Sequence, residues 1–161
     1  MKSFLYILLG IFILYFQLII APNFTLFAVI PNFFIAYLVY ISIHIKEKLL
    51  YPLSFFLGLA LDIMHPTLLG LNTLLFLIIS FLVSKFHMNV NKQRFLIVSL
   101  SVLFLNFLYY FVSFIYHALA AQLTEGFFLI FLISLLYNTL ISILVIYALV
   151  LSEKIKVTLN V

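Results

Sequence analysis

The sequence predicts an all-α, polytopic membrane protein of six transmembrane helices, and three observations predict it. The chain is 68% hydrophobic and only 7% charged, with a mean hydropathy of +1.38, whereas soluble domains carry about 25% charge. Its apolar residues fall in six runs separated by short polar breaks. All eight lysines and arginines sit at the two termini or on alternate connections between those runs. Each crossing of a hydrocarbon core of roughly 30 Å needs about 20 mainly apolar residues, so 161 residues accommodate six spans and leave no length for a soluble domain. Residues 1–161 therefore read as a single transmembrane domain. A transmembrane barrel would show segments of alternating polarity, and these runs are apolar on every face.

The first run, "MKSFLYILLGIFILYFQLIIAPNF", is longer than a signal-peptide core and has no A-x-A-like cleavage site after it, so it reads as a retained span over 3–21. The second covers 24–45, with Pro31 interrupting it, so that 24–30 reads alternatively as a short or re-entrant piece before a helix that begins at Pro31. The tripeptide "PNF" at Pro22 and again at Pro31 reads as two helix starts, because proline is preorganised for the first helical position. The remaining helices are expected over 49–65, 68–86, 95–120 and 127–151. Cytoplasmic loops hold an excess of basic residues. Lys2, Lys46 and Lys48, Lys85, Lys92 and Arg94, and Lys154 and Lys156 then share one side, which predicts both termini in the cytoplasm. The opposite connections contain no basic residue, and one of them carries Glu125. The loop 86–94, "FHMNVNKQR", is the longest polar surface on the basic side and the expected place for a lipid-headgroup or protein contact.

Asp62 is one of four acidic residues and falls inside the third apolar run. A carboxylate at the centre of a bilayer costs about 2.5–3.5 kcal/mol on insertion scales, so one that persists faces protein or water. Spacing puts Ser54, Gly58, Asp62 and His65 on one helix face. Ser54 and Gly58 form a small-xxx-small pair that admits a close neighbour, which would then lie against Asp62. Two roles are open for the carboxylate. It fastens helix ends, accepting hydrogen bonds from backbone N–H groups near Leu69 and Gly70 or from Asn72, or it relays protons or cations with His65. No other charge lies within a span to continue a relay. Asn106, Tyr109 or Tyr110, Ser113 and His117 make a polar stripe on the fifth helix, and Ser134, Asn138 and Ser142 make one on the sixth. Such stripes align a bundle interior or line a small-molecule cavity.

Enzyme signatures are absent. There is no H-E-x-x-H, G-x-S-x-G or phosphate-binding loop, and His44, His65, His87 and His117 lack ligand spacing. With no cysteine, thiol catalysis and thiolate metal sites are excluded. The expectation is a protein that is not an enzyme, with no cofactor and no metal, and without the basic surface that nucleic acid would require.

The order of features resembles the rod shape-determining protein MreD family. Gln17 ends the first span. Pro31 and Asn32 open the second helix, Gly58, Leu59 and Asp62 follow in the third, Leu69, Gly70 and Asn72 start the fourth, and Asn138 lies in the last. The resemblance covers the whole chain and is most specific between Pro31 and Asn72. After the aspartate, where many members have a glycine, this chain has "HPT". The resemblance implies a multi-pass protein of the bacterial inner membrane whose fold is similar to the S-components of energy-coupling-factor transporters. It implies binding to MreC, and work alongside RodA, a class B penicillin-binding protein and MreB. The site residues it implies are structural or interaction positions: Gln17, Pro31, Asn32, Gly58, Asp62, Gly70, Asn72 and Asn138.

The leading expectation is therefore a non-catalytic scaffold subunit of the cell-elongation machinery that helps position peptidoglycan synthases. Small residues such as Gly58 and Gly10 would admit a partner helix. The alternative is a vitamin-binding S-component, although the first helix lacks the A-x-x-x-A pattern common in that class. A third is an enzyme acting on lipid-linked precursors with Asp62 as general base, which would need a second positioned group, and His65 is the nearby candidate.

Overall fold

A computed structural model describes residues 2–64, 70–87, 95–119 and 126–159. Among these residues are six α-helices: α1 (Lys2–Tyr15), α2 (Phe34–His44), α3 (Glu47–Met64), α4 (Leu71–His87), α5 (Phe95–Leu119) and α6 (Phe127–Leu159). Among the described residues three stretches are long and apolar enough to cross a membrane: Phe4–Phe24, Ser99–Leu119 and Phe127–Leu149. The expected helix over 127–151 runs on to Leu159 and carries Lys154 and Lys156 with it. The loop expected to make a headgroup contact falls mostly outside the described residues, as do His65, Leu69, Lys92, Arg94 and Glu125.

α2 is the axis of the molecule. It packs against all five other helices, and from Phe34 to Ile41 every side chain is buried. A helix apolar around its whole circumference requires such an enclosed position. The outer helices reverse the pattern of a soluble protein. Large apolar side chains face outward along α1 at Phe4, Leu8, Ile11 and Tyr15 and along α6 at Leu136, Leu140 and Leu144, while Asn32, Asn72, Asn106 and Asn138, several serines and the Asp62 carboxylate are buried. A membrane protein has this distribution, because lipid solvates the apolar exterior and only neighbouring helices satisfy polar groups.

The expected helix over 24–45 is corrected to Phe34–His44, and neither "PNF" opens an α-helix at its proline. The first helix instead widens into a π-turn over Phe16–Ile20, with the Ala21 N–H bonded to Phe16 O. It then tightens into a 3₁₀ turn over Ala21–Phe24 that contains Pro22. The first "PNF" thus closes a helix. Beyond it, Leu26 and Val29 exchange both backbone hydrogen bonds, at 3.0 and 2.9 Å, around a two-residue turn whose Phe27 and Ala28 have φ of 48° and 65°. The turn sends the chain back, and Pro31 and Asn32 enter the interior as irregular backbone before α2 begins. At 1.5 Å per residue the 11 residues of α2 span only about 16 Å, so the irregular segment completes its path.

α3 and α4 form the most extensive helix pair, an antiparallel hairpin. The face read from the spacing of Ser54, Gly58 and Asp62 is the one turned toward α4. Tyr51 Oη lies 3.1 Å from Ser84 Oγ, and Ser54 Oγ lies 2.6 Å from Ser80 Oγ. Gly58 meets the α4 backbone so closely that a Cβ there would fall 2.5 Å from Thr73 Cα. Gly10 is likewise occupied within the molecule, since a Cβ would fall 2.5 Å from Tyr37 Oη. That hydroxyl donates to Tyr6 O at 2.7 Å. The expectation that Gly58 and Gly10 admit a partner helix is therefore corrected: both glycines are consumed by contacts inside the chain.

Candidate functional site

Two helices begin inside the bundle, and a helix start leaves four N–H groups without intrahelical acceptors. In hydrocarbon an unpaired backbone group costs several kcal/mol, so other side chains must come to these ends. The polar residues singled out in the sequence converge on them.

At the start of α4, the Asp62 carboxylate, fully buried, accepts four hydrogen bonds. Its Oδ1 receives Asn72 N and Asn72 Nδ2, both at 3.0 Å. Its Oδ2 receives Thr73 N at 3.0 Å and Thr73 Oγ1 at 2.5 Å. Asn72 and Thr73 are the second and third residues of α4, so Asp62 performs the task of an N-cap side chain from the end of the preceding helix. The residue at the cap position itself is Gly70, which has no side chain to offer and holds φ at +89°. A carboxylate is an acceptor-only group, and it also complements the positive end of the helix dipole. The acceptor role expected for Asp62 holds at Asn72; its second partner is Thr73, one position beyond the expected set, and Gly70 serves by its backbone angle. Thr73 was missed in the sequence, although a threonine at the third position of a helix following a left-handed glycine was the available signal.

At the start of α2 the same task is shared among three amides. Gln17, carried on the π-turn, donates from Nε2 to Pro31 O at 2.8 Å and accepts Phe33 N on Oε1 at 2.9 Å. It thereby serves a carbonyl and an N–H of the irregular backbone before α2. Asn32 Oδ1 accepts Phe34 N at 2.9 Å, the two-residue reach characteristic of asparagine side chains. Asn138 of α6 accepts Asn32 N on its Oδ1 and donates Nδ2 to Ser134 O at 2.9 Å. These contacts explain why irregular backbone is sustained here: at membrane depth it persists only where protein or a cavity receives it.

Tyr109 of α5 joins the two ends. Its hydroxyl donates to Asn72 Oδ1 at 2.5 Å, and the Asn32 side chain lies beside the same hydroxyl. Gln17, Asn32, Asp62, Asn72 and Asn138 thus belong to one hub, with Pro31 supplying a carbonyl to it. Gly58 and Gly70 allow the α3–α4 approach and turn that bring Asp62 to its donors. Asn106, in the fifth-helix stripe, stands apart and bonds Val102 O and Ser142 Oγ at 3.0 and 3.3 Å.

Against the hub lies a cavity of about 580 Å³ bounded by Gln17, Asn32, Asn72, Tyr109, Tyr110 and Ser113, with Leu18, Pro22, Ile30, Leu61 and Met64 closing its apolar sides. A second cavity, of about 170 Å³, lies between α5 and α6 at Phe114, His117, Phe127 and Phe131. Among the described residues no group of three or more histidine, aspartate or glutamate side chains is placed to hold a metal ion.

A family model described as "rod shape-determining protein MreD" matches residues 1–154. No curated protein and no solved structure matches.

Proposed function

The chain belongs to the MreD family of rod shape-determining proteins, a structural family of the rod-shape machinery, and from that premise we propose that it is the membrane scaffold subunit that binds MreC. In this reading it helps hold the peptidoglycan synthases, RodA and a class B penicillin-binding protein, in register with MreB. The proposal includes six spans in the bacterial inner membrane with both termini cytoplasmic, one transmembrane domain over residues 1–161, and a fold akin to that of energy-coupling-factor S-components. The hub residues Gln17, Pro31, Asn32, Gly58, Asp62, Gly70, Asn72 and Asn138 are proposed as structural positions.

The observation that carries the reading is the engagement of Asp62. All four of its contacts are donors from one helix start, which suits a fastener and leaves the carboxylate no free edge for proton abstraction. Because Gly10 and Gly58 face inward, the partner helix is proposed to dock on outward side chains of α1, where Phe4, Leu8, Ile11 and Tyr15 are each more than half exposed. α1 is also the least buried of the three long apolar stretches.

The test is affinity purification from native membranes with site-specific crosslinkers at Leu8 and Ile11. Recovery of a single-span protein with a periplasmic coiled coil, crosslinked at these positions, supports the proposal. Purification without such a partner contradicts MreC binding, and recovery with crosslinks only from α6 positions such as Leu140 contradicts the α1 surface.

A further inference from the structure

The two cavities adjoin at Tyr110 and Ser113, which border both. Among the described residues neither the Tyr110 hydroxyl nor Ser113 Oγ has a hydrogen-bond partner. Among the described residues the fully buried side-chain atoms without a partner, Asn106 Oδ1 and Thr139 Oγ1, lie outside both cavity linings. Both hydroxyls occupy the junction between a chamber edged with amides and a narrower slot walled by Phe114, Phe127, Ile130 and Phe131. Both residues are half-buried, so their hydroxyls stand at the cavity wall with hydrogen-bonding capacity that a ligand can take up. The larger chamber is within the roughly 300–1,000 Å³ range of small-molecule sites.

We propose that the joined cavities hold one uncharged amphiphile, a lipid with a hydroxyl-rich headgroup such as a glycosyl diacylglycerol. The head lies in the chamber, hydrogen-bonded to Tyr110 and Ser113 beside the engaged amides of Asn32 and Asn72, and an apolar arm enters the slot between α5 and α6. Charge decides the headgroup class. Among the described residues the lining holds no lysine or arginine to receive a phosphate, and the Asp62 carboxylate sits behind Asn72, so an anionic head would meet like charge there. His117, at the slot, has its Nδ1 engaged with Ser113 O at 2.8 Å. The proposal goes beyond the scaffold role and does not depend on which surface meets the partner.

The test offers the purified full-length protein, stripped of endogenous lipid, vesicles of phosphatidylcholine doped equally with monoglucosyl dioleoylglycerol and dioleoylphosphatidylglycerol. Bound lipid is then read by native mass spectrometry. The glucolipid is expected to be retained at least about tenfold over the phosphatidylglycerol. The double variant Tyr110→Phe with Ser113→Ala, which breaks no contact within the protein, is expected to lower that retention roughly tenfold, as the loss of two hydrogen bonds implies. Its melting temperature should be unchanged, so misfolding cannot produce the result. Equal retention of both lipids, or retention insensitive to the double variant, overturns the proposal. Displacement of the glucolipid by free methyl glucoside overturns the amphiphile assignment in favour of a water-soluble ligand.

Discussion

Replacing Asp62 by asparagine asks how much the trans cap on α4 contributes. The amide keeps one oxygen, which retains two of the four donors, and turns an NH₂ toward the other two. If the NH₂ faces Thr73, the Thr73 hydroxyl rotates to accept it, but the Thr73 N–H is left buried and unpaired, at about 1–3 kcal/mol. Loss of the negative charge at the helix start removes a further ~0.3–2 kcal/mol. Release from burying a carboxylate offsets part of this, giving a net loss of about 1–4 kcal/mol. For a chain of 161 residues that corresponds to a fall in melting temperature of about 2–16 °C at roughly 2–4 °C per kcal/mol. Asp62→Ala, which strips all four donors, should fall further. Thermal unfolding of the purified protein in one detergent, followed by helical circular dichroism, measures both. A melting temperature for Asp62→Asn within about 2 °C of the parent would refute the capping argument and return Asp62 to the list of chemical candidates.

Gly58→Ala should destabilise by about 1–3 kcal/mol by overpacking, since its Cβ strikes the Thr73 backbone and only a shift of whole helices relieves it; unfolding in the same detergent measures it. Gly10→Ala meets the end of one side chain instead, so Tyr37→Phe, which removes the clashing hydroxyl, should restore most of the loss, and the double variant tests the pairing. Asn138→Ala leaves the Asn32 N–H unpaired and should lower stability by about 1–3 kcal/mol, with protease sensitivity appearing first in the segment before α2. Ala28→Gly should stabilise by about 0.5–1 kcal/mol, because Ala28 occupies the left-handed region that glycine adopts without strain, and melting temperature again reads the gain.

Much of this architecture is legible in the sequence, and where it is not the reason is local. Six apolar runs announced six helices because each must hide its backbone along a continuous stretch. The spacing of Ser54, Gly58 and Asp62 disclosed the α3 face that meets α4, since helical period alone decides which side chains share a side. The Leu26–Val29 turn escaped notice because its central residues are Phe27 and Ala28, whereas such turns are ordinarily signalled by Asn-Gly or Asp-Gly. Without that signal the apolar run before Pro31 looks like helix. Partner identities across the bundle, such as Gln17 with Phe33 or Asn138 with Asn32, follow from how helices cross rather than from spacing along any one of them. The roles of Gly10 and Gly58 were misjudged for the same reason: a small residue reveals that something comes close, but not whether the neighbour is the chain itself or another protein.

The central claim is that the buried polar hub holds the bundle together and performs no chemistry for the rod-shape machinery. The most direct test is complementation, by Asp62→Asn, of a host depleted of the native protein, with expression raised until membrane levels equal the parent's and cell shape scored by microscopy. The account predicts rods. Round cells at parental membrane levels, with the variant folded, would contradict it.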